Sequence, residues 1–190
     1  RLKGETALLL SFTEFNDIAK MSAFHREAFA HLSSAEGGAY PRTVIFGLTP
    51  WTFGIPSVLS LYWNRTDGLD HALDLMDECM PWYVKLAAGH GTGAEVMMRA
   101  EAHLCRGEEA EAETLSHKAL YLAREAGQIS LCLCAELVLA RLAILRGDGA
   151  AFGAVRENIA GYRKESPERA IARMVELCLA VLDLSLGKTE

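Results

Sequence analysis

AEVMMRAEAHLCRGEEAEAETLSHKALYLAREAGQISLCLCAELVLARLAILRG, residues 94–147, places Gly107 and Gly147 at matching ends of two apolar helical stretches. Glycine enters the left-handed conformation that ends a helix without steric cost, so each reads as a turn between helices. Further glycines extend the series to Gly68, Gly107, Gly147 and Gly187, at intervals of 39, 40 and 40 residues. Before Gly107 the apolar positions are Met97, Ala100 and Leu104; before Gly147 they are Leu137, Ala140 and Ile144; before Gly187, Leu177, Ala180 and Leu184. A spacing of three then four marks one face of an α-helix.

The stretches after the glycines agree among themselves. Ala112, Leu115, Ala119 and Leu122 follow Gly107; Phe152, Val155, Ile159 and Tyr162 follow Gly147; Leu73, Met76, Met80 and Tyr83 follow Gly68. The helix before Gly68 is poorer, with Val58 and Leu61 but Arg65 at the third position. A period near 40 residues predicts an all-α fold, a right-handed superhelix of antiparallel helix hairpins of the tetratricopeptide-like α-solenoid kind.

Upstream, Met21, Phe24 and Ala28 repeat part of the second-helix pattern, which puts a turn at Asn16-Asp17 and a preceding helix over Leu8, Leu9, Leu10 and Phe12. The whole chain, 1–190, reads as one domain: a weak first repeat at 1–33, an inserted loop at 34–55, repeats at 56–92, 93–127 and 128–166, and a truncated repeat at 167–190. The insertion is rich in Gly, Pro and aromatics, and long loops of that kind are often functional. Arg1 at the start and the apolar run from Leu177 to Leu184 at the end suggest a piece of a longer protein, since terminal repeats normally present a polar face.

Composition fits a cytoplasmic domain, with 51% hydrophobic and 23% charged residues and no window of membrane-spanning length free of charge. The formal charge of −6 argues against direct nucleic-acid contact by this segment. Cys79, Cys105, Cys132, Cys134 and Cys178 all fall inside predicted helices, as free buried thiols would in a reducing compartment.

Motifs that imitate catalysis are incomplete. Gly187-Lys188-Thr189 ends like a phosphate loop, but Leu182 stands where that loop needs a glycine. Gly89-His90-Gly91-Thr92-Gly93 is similar to a lipase-type oxyanion loop, yet the chain has no G-x-S-x-G elbow, so a helix-to-helix turn with Glu95 in the next first turn is the simpler reading. No H-x-x-x-H or C-x-x-C pattern offers a metal site. Asn64-Arg65-Thr66 is a glycosylation sequon without meaning in the cytoplasm. The chain is therefore expected not to be an enzyme, and to need neither cofactor nor metal.

Binding residues are better candidates. Trp51, Phe53 and Trp63 flank the inserted loop, as a cover over the junction of the first unit or as a docking patch. His90 sits in the glycine-rich turn, Arg99, His103 and Arg106 share one helix, and Arg141 and Arg146 the next, as a solvated face or as a concave lining. Pro81 lies inside the helical stretch from Leu69 to Ala88, where it predicts a kink.

The segment TFGIPSVLSLYWNRTDGLDHALDLMDECMPWYVKLAAGHGTGAEVMMRAEAHLCRGEEAEAETLSHKAL resembles the helical-repeat region of MalT-like bacterial regulators of the LuxR family. The resemblance runs from Thr52 to Gly187 and is most specific in Met76–Pro81 (MDECMP), Gly89–Glu95 (GHGTGAE) and the A-E-x-x-L-x-R-G turn at Ala100–Gly107. It implies a superhelix lying between a nucleotide-binding module and a DNA-binding helix-turn-helix, and with it a signal-sensing role: binding a small-molecule effector or a partner protein and mediating homo-oligomerisation. It carries no residue-level ligand motif. A plain scaffold that docks a peptide or partner helix is the alternative.

Overall fold

A computed structural model describes residues 1–14, 17–33, 50–63 and 68–188. Asn16, the greater part of the inserted loop at 34–49, the sequon with Arg65, and Thr189 lie outside the described residues. Among the described residues the chain is all-helical, without a strand. The helices are α1 (Leu2–Thr13), α2 (Ile18–Leu32), α3 (Val58–Tyr62), α4 (Leu69–Leu86), α5 (Ala94–Arg106), α6 (Glu109–Glu125), α7 (Ile129–Arg146), α8 (Gly149–Glu165) and α9 (Arg169–Ser185).

Their ends follow from backbone chemistry. Gly107 and Gly147 close α5 and α7 with φ of 76° and 67°. In each case the next amide reaches back five residues to a terminal carbonyl, Glu108 N–H to His103 O (3.0 Å) and Asp148 N–H to Ala143 O (2.9 Å), satisfying groups the helix leaves open. Lys188 makes the same bond to Asp183 O (2.9 Å) beyond Gly187. Gly68 differs: it is left-handed too, but it starts α4 as its N-cap rather than closing the helix before it. Asp17 caps α2, its carboxylate accepting the Lys20 N–H at 3.2 Å.

α3 is short. Ser57 caps its start and Trp63 ends it in extended backbone, so the expected first helix of the Gly68 unit amounts to five residues. Pro81 sits inside α4, which continues through it.

Packing is largely between helices close in sequence. α1 pairs with α2, and α2 lies on α4; α5, α6, α7, α8 and α9 each touch the next. Alternate helices also meet: α3 with α5, α5 with α7, and α7 with α9. That arrangement explains α7, whose side chains from Ser130 to Ala140 are all buried, because neighbours cover it on every side. The sequence pattern maps onto burial at Met97, Ala100, Leu137, Ala140, Leu73, Met76, Met80 and Tyr83. On α9 the same register turns outward, with Leu177 and Leu184 exposed and Val175, Cys178 and Leu182 facing the core.

Four cysteines are buried free thiols, and burial pushes Cys79 and Cys178 up to about 12, far from the reactive thiolate. Cys105 corrects the expectation of uniform burial, since it is exposed near the end of α5. No described helix is long and apolar enough to cross a membrane, and no cluster of metal-ligating side chains occurs among the described residues.

Candidate functional site

Two places collect the chemically interesting side chains. The first forms where residues 50–54 turn between α1, α2 and α4. The Phe53 N–H donates to Pro50 O (2.8 Å) and the Ile55 N–H to Thr52 O (3.0 Å), with Phe53 itself at φ 53°. Trp51 stacks near Tyr62, ring centres 5.0 Å apart. Gly91 lets the indole approach: a Cβ there would stand 2.5 Å from Trp51 Nε1. The Gly91 N–H in turn donates to Gln128 Oε1 (2.9 Å), tying the glycine-rich turn to the start of α7.

Phe12, His25, Trp51, Phe53, Tyr83 and His90 surround a cavity of about 20 Å³, room for one water. His25 is 3% exposed, stacks on Tyr83 at 4.9 Å, and leaves Nδ1 without a hydrogen-bond partner. Burial lowers its pKa to about 4, so the ring is neutral at physiological pH. Tyr83 and His90 Nδ1 are hydrogen-bonded at 2.8 Å. Trp51, Phe53 and His90 thus come together here, while Trp63 is half-buried against the core and lines neither cavity.

The second place is a groove of about 320 Å³ across α3, α5, α7 and α9. Its walls repeat one register. Glu101, Arg141 and Val181 each stand six residues before a turn glycine, on α5, α7 and α9, and all three line it. Leu137 and Leu177, ten residues before theirs, line it as well, beside Leu59, Leu104 and Val138. Ile55, Pro56 and Ser57 close one side.

Glu101 is the unusual member. It is 7% exposed, and its Oε2 accepts the Leu59 N–H at 2.5 Å, so a carboxyl from α5 anchors the first turn of α3. Burial pushes its pKa up to about 7, against the opposing pull of the α3 amides, Ser57 and the Arg141 charge. Sequence reasoning named Arg141 but missed Glu101; the signal available was an acid at the position where the next unit carries a base.

The remaining candidates are committed elsewhere. Arg99 donates to Asp77 (2.8 and 2.5 Å) and Asp74 (3.1 Å) on α4, and His103 pairs with Glu108. Neither lines the groove. Arg141 is different: it is exposed, and it alone of the arginines on α5, α6, α7 and α8 has no hydrogen bond or ion pair to a described residue.

No family model, curated protein or solved structure matches the chain.

Proposed function

We propose that the chain is a signal-sensing helical-repeat domain of a bacterial transcriptional regulator of the MalT-like LuxR kind. Its helices act as a right-handed α-solenoid that receives an effector in the groove across α3, α5, α7 and α9. The observation that carries this reading is that one repeated register position, Glu101, Arg141 and Val181, lines one groove. Repeat architectures build binding surfaces in this way, by turning equivalent side chains to a common face. The domain works by binding in the cytoplasm, without catalysis or a cofactor. Its acidic charge of −6 leaves DNA contact to another part of such a regulator.

An effector acts only through the difference in its affinity for two states, so the coupled event is a change in self-association between them. Methyl NMR of the purified chain tests the groove, with a panel of mono- and disaccharides, amino acids and short organic acids. Saturable shifts at Leu137, Leu177 and Val181 are expected from at least one compound class. A panel that leaves these methyls unmoved defeats the effector reading. A scaffold docking a partner helix is the second reading, favoured by the exposed Leu184 and Leu186 at the end of α9.

A further inference from the structure

The groove's polar groups are unequal in what they leave for a ligand. Glu101 spends its carboxylate on the Leu59 amide, and Ser57 and Ser60 are occupied with each other as Ser57 caps α3. Arg141 makes no hydrogen bond or ion pair to a described residue; its charge acts on Glu101 only at longer range, and its N–H donors stay open. Its neighbours in the lining, Leu104, Leu137, Val138, Leu177 and Val181, offer only apolar surface. One open guanidinium above an aliphatic floor selects for one anionic head on an aliphatic body. A guanidinium presents paired N–H donors that match a carboxylate fork. A dianion would bring a second charge with no counter-ion in the lining, and that charge would be desolvated at a cost. A neutral sugar would leave Arg141 unpaired and its own hydroxyls facing leucines. The volume of about 320 Å³ is at the small end for ligand sites, which fits a single small molecule rather than a peptide chain.

We propose that this groove binds a small aliphatic monocarboxylate, its carboxylate paired with Arg141 and its hydrocarbon chain lying on Leu104, Leu137, Leu177 and Val181. This rests on the reading of the groove as the effector site and names the effector's chemical class. Arg141 supplies specificity for the head, and the leucines supply binding energy through burial at about 25 cal/mol per Å². Leu177 is 45% exposed, so the chain gains by covering a leucine that the fold leaves open.

Hexanoate, hexanamide and hexylamine are the probes, titrated into the purified chain and followed by calorimetry and by the methyl signals of Leu137, Leu177 and Val181. Hexanoate is expected to bind saturably, with hexanamide about tenfold weaker or worse and hexylamine silent. Arg141→Gln should lower hexanoate affinity about tenfold and abolish the preference over the amide. Leu177→Ser, at an exposed position, should weaken acid and amide alike. Far-UV circular dichroism and the melting temperature establish that both variants are folded. Equal affinity for acid and amide, or undiminished hexanoate binding by Arg141→Gln, overturns the proposal. Absence of hexanoate binding also overturns it. If a sugar or an amino acid then moves the same methyls, the groove remains the effector site and only the carboxylate class is lost; if no compound moves them, both readings fall together.

Discussion

His25 and Glu101 are both buried ionisable groups, and they bend stability in opposite directions with pH. The imidazole titrates near 4 in the fold and near 6.5 in the unfolded chain, because burial disfavours its charged form. The unfolded state therefore binds more protons between those values, and stability is lost as pH falls through that window, by roughly 3 kcal/mol in all. The Glu101 carboxyl titrates near 7 in the fold against a usual 4.5, again by burial. Here the folded state binds more protons, so stability is lost as pH rises from 4.5 to 7, by a similar roughly 3 kcal/mol. The two slopes overlap and mask each other in the native chain. His25→Phe keeps the stack on Tyr83 without a titrating ring, and Glu101→Gln keeps an acceptor for the Leu59 amide without charge. Urea unfolding between pH 4 and 8 should then show His25→Phe falling steadily with rising pH and Glu101→Gln climbing with it. Parallel curves for the two variants would contradict both assignments.

At the scale of helices, the turn glycines index a set of ion pairs. Arg106, one residue before Gly107, pairs with Asp70 at 2.6 Å, and Asp70 lies two residues after Gly68. Arg146, one before Gly147, pairs with Glu109 at 2.9 Å, two after Gly107, and with Glu113 at 2.8 Å. The same offset thus clips α5 to α4 and α7 to α6. These pairs are largely exposed, so they set register more than they stabilise. Arg146→Glu should destabilise the fold, and adding Glu109→Arg with Glu113→Arg should restore part of the loss. That recovery should shrink in high salt. Strictly additive losses across the cycle would show the clip to be idle. Both partners were visible in the sequence at fixed offsets from the glycines, as were the helices from α4 to α9 and the main buried positions of α4, α5 and α7, whereas on α9 the register pointed to Leu177 and Leu184, which are exposed. Which helix an arginine faces was not, because periodicity gives a side chain's face and not the neighbour across from it. The shortness of α3 was hidden for a related reason: Val58 and Leu61 keep helical spacing, but the Ser57 cap and the extended backbone at Trp63 confine it. Of the site, Trp51, Phe53, His90 and Arg141 could be named beforehand. Glu101 shares Arg141's register and so its place was legible, but its role was not, since that depends on the α3 amides, which are brought to it by tertiary packing.

Across the molecule, helices that touch mainly near neighbours in sequence would be expected to loosen piecewise from either end. Residues 50–57 oppose this. Trp51 is 5% exposed, close to Tyr62 of α3 and lining one cavity with Phe12, His25 and Tyr83 of α1, α2 and α4, and Thr52 is fully buried. The Thr52 hydroxyl reaches Met174 of α9 at 3.8 Å, across 122 residues of sequence. Ile55 and Pro56 then run along the groove beside Leu177 and Val181. This strap joins the early helices to the last one, so opening α9 also exposes the strap, and opening the strap uncovers Trp51. The native chain should therefore unfold in urea as one transition, with tryptophan fluorescence and far-UV circular dichroism coinciding. Trp51→Ala removes the anchor at a cost of about 3–5 kcal/mol, the usual loss for a buried aromatic truncated to alanine. Its further effect separates a strap from mere core packing. Amide exchange in α9, far along the chain from position 51, should accelerate at least as much as in α4, whereas α6, which lines neither cavity, should keep its relative protection. Exchange that speeds up in α2 and α4 while α9 stays at the native rate would show that residues 50–57 only fill a local gap.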